Sequence, residues 1–81
     1  MQKILEIPLV LLDDFPSFPF RLRRDSEFLN LLDSISTYGV LQPVIVRPVA
    51  ERYQLISGHR RKRACEILRY DSVFGIVLDT L

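Results

Sequence analysis

The chain has 81 residues, of which 48% are hydrophobic and 26% charged, and its formal net charge is +1 at pH 7. This length and composition predict one folded domain and argue against a disordered chain or a general polyanion-binding protein. The single cysteine excludes an internal disulfide and a paired-cysteine zinc site. Glu6 and Pro8 interrupt the apolar start, so we expect neither a signal peptide nor a membrane span, and no membrane partner.

The chain is predicted to begin with a strand. Residues 4–7 have strand character, Pro8 ends the strand or lies at a sheet edge, and residues 9–12 could extend it. Residues 13–19, DDFPSFP, are rich in the Asp, Ser and Pro that favour a loop.

The most regular pattern predicts a helix from Asp25 to Gly39. Asp25 suits the N-cap, Glu27 suits the positive end of the helix, and Gly39 suits the stop, where a left-handed backbone is usual. Four apolar residues recur at the i, i+3, i+4, i+7 spacing and therefore share one face. They are Phe28, Leu31, Leu32 and Ile35.

The second half predicts a hairpin, a helix and a last strand. Residues 44–47 and 53–57 read as strands joined by a turn at 48–52, and residues 73–78 read as the final strand. A helix opens at Ser57 or Gly58, with an inner face that anchors it to the sheet; these residues are Ala64, Ile67 and Leu68. We therefore predict an α+β fold, β-α-β-β-α-β, with two helices on one face of a small mixed sheet.

Four cationic residues follow Gly58 and His59 at the predicted helix start, in the stretch GHRRKR. A helix N-terminus carries a partial positive charge, so stacking arginines there is unfavourable unless an anion binds. Gly58 would let the backbone approach a bound group, and Arg60 and Arg61 can grip phosphate oxygens. The alternative is a solvated helix face with no ligand. Lys62 is predicted to face solvent, and Cys65 to be a small packing residue.

Other candidates are weaker on spacing alone. Residues 36–43, STYGVLQP, combine a helix stop with a rigid turn and could be a plain connector. Arg21 and Arg23 precede the first helix and could close over an anion or lie on the surface. The chain has no GxxxxGK[ST] or GxGxxG loop and no His-x-x-x-His pair, so no metal site built from side chains is predicted.

Three segments in order resemble the N-terminal domain of ParB-type partition proteins, in the ParB/sulfiredoxin superfamily. They are PFRLR at 19–23, SISTYGVLQPVIVRP at 34–48 and YQLISGHRRKRACEIL at 53–68. The last resembles the family's characteristic box, usually written G-E-R-R-x-R-A. The match covers nearly all 81 residues, so the resemblance implies a ParB/sulfiredoxin-like fold for the whole chain.

The resemblance implies a site for CTP with Mg²⁺. Carried over by position, the residues that line the nucleotide pocket are Gly39, Gln42 and Pro43. Those that cradle the phosphates are Gly58, Arg60 and Arg61, with Arg23 approaching from the N-terminal side. Arg63 matches a second basic position of the box and is included in the site without an assigned role. The resemblance and the physics of the helix start agree on Gly58, Arg60 and Arg61.

His59 departs from the family pattern, which has Glu at this position in the best-known members. If that Glu assists hydrolysis, His59 decides whether CTP is hydrolysed or only bound, so it is the candidate catalytic residue. Sulfiredoxin chemistry would need a cysteine at position 58, where this chain has glycine. A free-serine kinase would need a carboxylate near the phosphate, and Asp13, Asp14 and Glu51 are the candidates.

The implied function is a nucleotide-binding regulatory domain of a partition or DNA-binding regulatory protein, located in the cytoplasm on a nucleoid or plasmid. The implied partners are a nucleotide, DNA through a full-length protein, and a second N-domain. The resemblance also implies that residues 1–81 are one domain of a longer chain, since ParB proteins continue into further domains. The alternatives are a phosphotransferase, a nuclease, or direct contact of the basic turn with DNA phosphates, which salt dependence would reveal.

Overall fold

The computed structural model describes residues 2–14, 25–39 and 42–78. Within these ranges the order of elements is β1 (Gln2–Pro8), β2 (Leu12–Asp13), α1 (Ser26–Tyr38), β3 (Val44–Val49), β4 (Arg52–Ser57), α2 (His59–Ile67) and β5 (Ser72–Leu78). The strands form one mixed sheet in the order β1-β5-β3-β4-β2. The predicted α+β fold with two helices on a small mixed sheet is confirmed.

The first predicted strand is confirmed as β1, but the prediction for the residues that follow it lacks a 3-10 turn and a second short strand. β1 pairs antiparallel with β5, so the first and last described strands are neighbours. Residues 9–12 do not extend β1: Leu9–Leu11 form one turn of 3-10 helix. The amide of Leu9 donates to the carbonyl of Asp71 at 2.9 Å. The short strand β2 then pairs in parallel with β4, which adds a fifth strand that the sequence did not indicate.

The hairpin of β3 and β4 is antiparallel, as predicted, but its turn is tighter. The strands continue to Val49 and from Arg52, which leaves only Ala50 and Glu51 between them. Ala50 adopts a left-handed backbone, with φ of 56°, which suits a tight two-residue turn. The parallel pairing of β3 with β5 places β3 in the middle of the sheet.

Among the described residues, the core forms two clusters that Tyr70 connects. The first lies on one face of the sheet and includes Cys65 of α2; its strand residues are Ile7, Leu12, Val44, Val46, Leu55, Val73 and Val77. The second joins Phe28 and Ile35 of α1 to Ala64 of α2. Tyr70 packs against both clusters, and its hydroxyl donates to the carbonyl of Ile35 at 3.0 Å.

The apolar face predicted for α2 packs on a different element from the one expected: it contacts α1 and not the sheet. Ala64, Ile67 and Leu68 pack in the cluster shared with α1, whereas Cys65 is the helix residue in the sheet cluster. Both Ala64 and Cys65 are fully buried. Because α2 has neighbours on two sides, consecutive residues are buried against different elements, and a single inner face does not describe it.

The predicted limits of α1 are confirmed. The Oδ1 atom of Asp25 accepts a hydrogen bond from the amide of Phe28 at 2.8 Å, which is the N-cap contact expected of an Asp at this position. Gly39 has φ of 79° and its amide donates to the carbonyl of Ile35 at 2.8 Å, which ends the helix. The apolar face is also confirmed, since Phe28 and Ile35 are buried.

Candidate functional site

The start of α2 is built around Gly58. The strand β4 ends at Ser57, and Gly58 turns the chain into the helix with φ of 102° and ψ of 28°. A Cβ atom on this residue would lie 2.7 Å from Cγ1 of the buried Val44 on β3. Glycine is therefore required both for the left-handed backbone and for the close approach of the helix start to the sheet.

Gln42 lies beside the first turn of α2. Nη2 of Arg61 donates a hydrogen bond to Oε1 of Gln42. Two residues further along the chain, Val44 packs under Gly58. The segment that follows α1 and the segment that begins α2 are thus neighbours in space, although 19 residues separate Gln42 and Arg61 in the sequence.

The remaining predicted pocket residues flank this contact. Pro43 is half-buried and lies between Gln42 and Val44 at the start of β3. Gly39 is the C-cap of α1, and, its chain neighbours apart, no heavy atom of the described residues lies within 4 Å of the position that its Cβ would occupy. Residues 40 and 41, which connect them, lie outside the described part of the chain.

Arg60 lies against the start of α1. Its Nη2 is 2.7 Å from Oδ2 of Asp25 and its Nη1 is 3.3 Å from Oε2 of Glu27. The guanidinium carbon is 5.8 Å from the centre of the Phe28 ring, within the range of a cation–π contact. The hydrogen bond that Arg60 donates to Asp25 raises the pKa of Arg60 above its usual value, so the side chain is a permanent cation.

His59 is the first residue of α2 and is half-buried. Burial lowers the pKa of its imidazole, and the positive charge of Lys62 acts in the same direction, whereas the carboxylate of Asp14 opposes them. The neutral ring is therefore favoured near neutral pH. A neutral imidazole can accept a proton, which is what the predicted role in hydrolysis would require.

The expectation for Lys62 is wrong, because its side chain is buried. Only 8% of Lys62 is exposed, and its Nζ is 3.1 Å from Oδ1 of Asp14 and 3.4 Å from Oε2 of Glu66. A buried ammonium needs such partners to offset the loss of hydration. Lys62 thereby ties the segment that follows β2 to α2.

Arg63, by contrast, is exposed. Its Nη1 is 3.4 Å from Oε1 of Glu66, one helical turn further along α2. This contact directs the Arg63 side chain towards the end of α2 and away from its start.

Arg23 belongs to residues 15–24, which lie outside the described part of the chain, and so do Arg21 and Arg24. In the described ranges, no group of three or more His, Cys, Asp or Glu side chains is arranged to hold a metal ion. Nor does any helix in those ranges have the length and apolar character needed to cross a membrane.

Two acidic residues at this site were missed by the sequence reasoning. Asp25 and Glu27 were assigned only to the cap and dipole of α1, yet both contact Arg60 of α2. Asp25 and Arg60 are 35 positions apart, so spacing along the chain gave no indication of the contact. The excess of cations at the start of α2 was the one available signal, because such an excess needs either a bound anion or acidic neighbours.

Residues 1–80 match the model of the ParB N-terminal domain. The nucleoid occlusion protein of Bacillus subtilis is 34% identical over 80 residues, which are 96% of this chain and 28% of that protein. The chain thus spans a little over a quarter of the length of that relative.

Solved structures of ParB proteins and of a sulfiredoxin resemble this chain in fold. The C-terminally truncated chromosome-partitioning protein ParB of Caulobacter crescentus, complexed with CTP-gamma-S, has a TM-score of 0.80 and 33% identity, covering 98% of this chain and 46% of that one. The same truncated protein complexed to the centromeric parS site has a TM-score of 0.80 and 35% identity, covering 93% and 40%. Sulfiredoxin of Arabidopsis thaliana has a TM-score of 0.82 and 26% identity, covering 96% and 86%.

Proposed function

Because the chain belongs to the ParB N-terminal domain family, we propose that it is a nucleotide-binding regulatory domain that takes CTP at the start of α2. The observation that carries the proposal is the hydrogen bond between Arg61 and Gln42. It joins two segments that the family resemblance assigns to one pocket, and it does so beside the glycine turn that opens α2. A homologue of this fold has been solved with the analogue CTP-gamma-S.

The phosphates are the part of the ligand that this site suits best. The N-terminus of a helix favours negative charge, and α2 adds two arginines in its first turn. A guanidinium can hold two phosphate oxygens at once, which a lysine cannot. We assign Gly58, Arg60 and Arg61 to the phosphates, with Gln42 exchanging its contact with Arg61 for one with the ligand.

Gly39 and Pro43 are assigned to the nucleoside end of the pocket, because they flank Gln42. Arg23 remains a proposed phosphate contact from the N-terminal side. Arg63 is the weakest assignment, since its guanidinium would have to leave Glu66 to reach a ligand at the helix start.

Mg²⁺ fits this site only as a companion of the nucleotide. The ion is commonly bound by substrate phosphates, one or two carboxylates and water, and does not need a protein cage. The charged side chains that the first turn of α2 itself supplies are cations, which would hold the phosphates and not the ion. The ion would neutralise phosphate charge, while Arg60 and Arg61 orient the oxygens.

Hydrolysis of CTP is proposed to depend on His59. The neutral imidazole at the first position of α2 could accept a proton from an attacking water, which is the role that an acidic residue would fill in the family pattern. If position 59 limits turnover, replacing His59 with Glu should raise phosphate release. An unchanged rate would mean that position 59 does not limit turnover, and no phosphate release from either protein would mean that the domain only binds the nucleotide.

The wider role is proposed from relatives that are much longer than this chain. One is a nucleoid occlusion protein, and another has been solved on the centromeric parS site. We propose that this domain regulates a chromosome- or plasmid-associated protein through CTP, with DNA contact and pairing of two N-domains as its consequences. The phosphotransferase, nuclease and direct DNA-contact alternatives have no specific observation in their favour.

The test is calorimetric titration with CTP, ATP, GTP and UTP in the presence of Mg²⁺. It should use the 81-residue chain and, if the natural polypeptide is longer, that polypeptide as well. CTP should bind to the wild type, and Arg61→Gln should weaken binding by roughly tenfold or more, because it removes a charge-assisted contact.

Arg69→Gln is the matched control. It removes the same charge from an exposed residue beyond the other end of α2 and keeps a non-glycine residue at φ of 61°. Equal losses in both variants would mean that general electrostatics, and not a site at the helix start, governs binding. A folded polypeptide that binds none of the four nucleotides would refute the proposal.

A further inference from the structure

Arg60 is held by two carboxylates. Asp25 lies 2.7 Å from Nη2 and Glu27 lies 3.3 Å from Nη1, so both terminal nitrogens of the guanidinium face acidic oxygens. A phosphate that approaches the start of α2 would need the same nitrogens. The charges of Asp25 and Glu27 together also exceed the single charge of Arg60, which weakens the attraction that this side chain exerts on an incoming anion.

The two carboxylates are held with different firmness. Asp25 accepts from the amide of Phe28 through Oδ1 while Oδ2 accepts from Arg60, so its position is fixed by the cap of α1. Glu27 makes the longer contact, and 84% of its side chain is exposed. Displacing Glu27 therefore disturbs little else, whereas displacing Asp25 disturbs the first turn of α1.

We propose that Asp25 and Glu27 compete with the phosphates of the bound nucleotide for the guanidinium of Arg60, and that Glu27 sets the affinity of the site. This inference rests on the proposed function, since it assumes that a polyphosphate binds at Arg60. On binding, Arg60 exchanges its contact with Glu27 for phosphate oxygens. The N-terminus of α1 then responds to occupancy of a site at the N-terminus of α2.

The opposite role for the same residues is that they orient Arg60 towards the ligand. Charged neighbours often position an arginine for recognition, and removing them then weakens binding. The two roles predict changes of opposite sign in the same experiment. Measuring affinity in a variant that loses only the charge of Glu27 therefore separates them.

The variant is Glu27→Gln, with Asp33→Asn as the matched control. Both replace an exposed carboxylate of α1 by the corresponding amide, so both change the net charge of the protein equally. Asp33 is six residues further along the helix, which is about 9 Å along its axis at about 1.5 Å per residue. Asp25→Asn is a third variant, because Asn also serves as an N-cap and so removes the charge without removing the cap.

The probes are CTP with Mg²⁺ and inorganic triphosphate, titrated at low and at physiological ionic strength. We expect Glu27→Gln to bind both probes roughly three- to tenfold more tightly than the wild type, and Asp33→Asn to differ by less than roughly twofold. The gain should shrink with added salt, because the competing contact is exposed. In NMR spectra of the wild type, the amide of Phe28 and the Nε–H of Arg60 should shift along the binding isotherm.

The outcomes separate the two claims. If CTP binds the wild type but Glu27→Gln behaves like Asp33→Asn, or binds more weakly, the competition is refuted and the proposed function stands. If neither probe binds the wild type or any of the three variants, the proposed function is refuted and the competition with it. Binding that appears only in Glu27→Gln or Asp25→Asn would support the competition directly.

Discussion

Substituting Gly58 by alanine tests the geometry on which the site depends. The residue has φ of 102°, and an added Cβ would lie 2.7 Å from Cγ1, 3.1 Å from Cβ and 3.3 Å from Cα of Val44. The left-handed backbone costs an alanine about 1–2 kcal/mol. Forcing a methyl group against the buried Val44 adds about 1–3 kcal/mol, because the nearest atoms include backbone that cannot move aside. We expect Gly58→Ala to lower the free energy of unfolding by about 2–5 kcal/mol.

The matched control is Gly39→Ala. Gly39 also has a positive φ, 79°, but among the residues that the structure describes, chain neighbours apart, nothing lies within 4 Å of its Cβ position. It should show the cost of backbone strain alone, about 1–3 kcal/mol. A second comparison is the pair Gly58→Ala and Val44→Ala, made singly and together. Because Val44→Ala removes Cγ1, the atom nearest to the new methyl group, the double variant should be more stable than the sum of the two single effects predicts.

Urea denaturation followed by circular dichroism measures each free energy, with ¹⁵N NMR spectra to verify that each variant is folded. A loss below about 0.5 kcal/mol for Gly58→Ala would refute the reasoning, because a side chain would then fit at the turn. Additive effects in the double variant would also contradict it, since the two residues would not be in contact.

Three further predictions concern residues around α2. Cys65 is fully buried, and burial raises the pKa of its thiol. A thiol reagent should therefore label the folded protein at least roughly a hundred times more slowly than the unfolded chain. Equal labelling rates would mean that α2 is not packed on the sheet. Burial lowers the pKa of His59 in the folded protein, so the unfolded state binds a proton more readily and the free energy of unfolding should fall as the pH drops below about 6.5. In urea titrations, His59→Gln should remove part of this loss between about pH 7 and pH 5. An unchanged pH dependence in the variant would contradict this reasoning. Lys62→Met keeps the packing of a long side chain, so its free energy of unfolding should stay within about 1 kcal/mol of the wild-type value. Lys62→Ala should lower that free energy by about 1–2 kcal/mol. Equal losses would mean that the ion pairs with Asp14 and Glu66, and not the packing, stabilise this region.

The parts of the fold that depend on local signals could be predicted from the sequence. The helix α1 has an Asp at its N-cap, a glycine at its end and a regular apolar spacing between them, and its observed limits agree with all three. The strand β2 could not be predicted, because it has two residues and is defined only by its pairing with β4, far along the chain.

The packing of α2 shows that an apolar pattern in the sequence predicts which residues of a helix are buried, but not the element against which they pack. Ala64 and Cys65 are both buried, one towards α1 and the other towards the sheet. The sequence indicated an inner face for the helix, and that face packs on α1. Lys62 was misassigned for a related reason, since a run of charges usually marks a solvated surface, but Asp14 and Glu66 allow this one to be buried.

Backbone reasoning predicted that Ser57 or Gly58 opens α2, and Gly58 does so with a left-handed backbone. Arg61 meets Gln42, a residue that only the family resemblance had placed in the site. The acidic partners of Arg60 were not predictable, because they come from another helix. The start of α2 is therefore a set of cations already matched in part by carboxylates, which changes how a ligand would compete for it.

The central claim is that the start of α2 binds CTP through its first-turn arginines. The most direct measurement is calorimetric titration of the wild type, Arg61→Gln and Arg69→Gln with CTP and Mg²⁺. We predict saturable binding by the wild type and by Arg69→Gln, and a loss of roughly tenfold or more in Arg61→Gln alone. Absence of binding by a folded wild-type polypeptide, or equal affinity in all three proteins, would contradict the account.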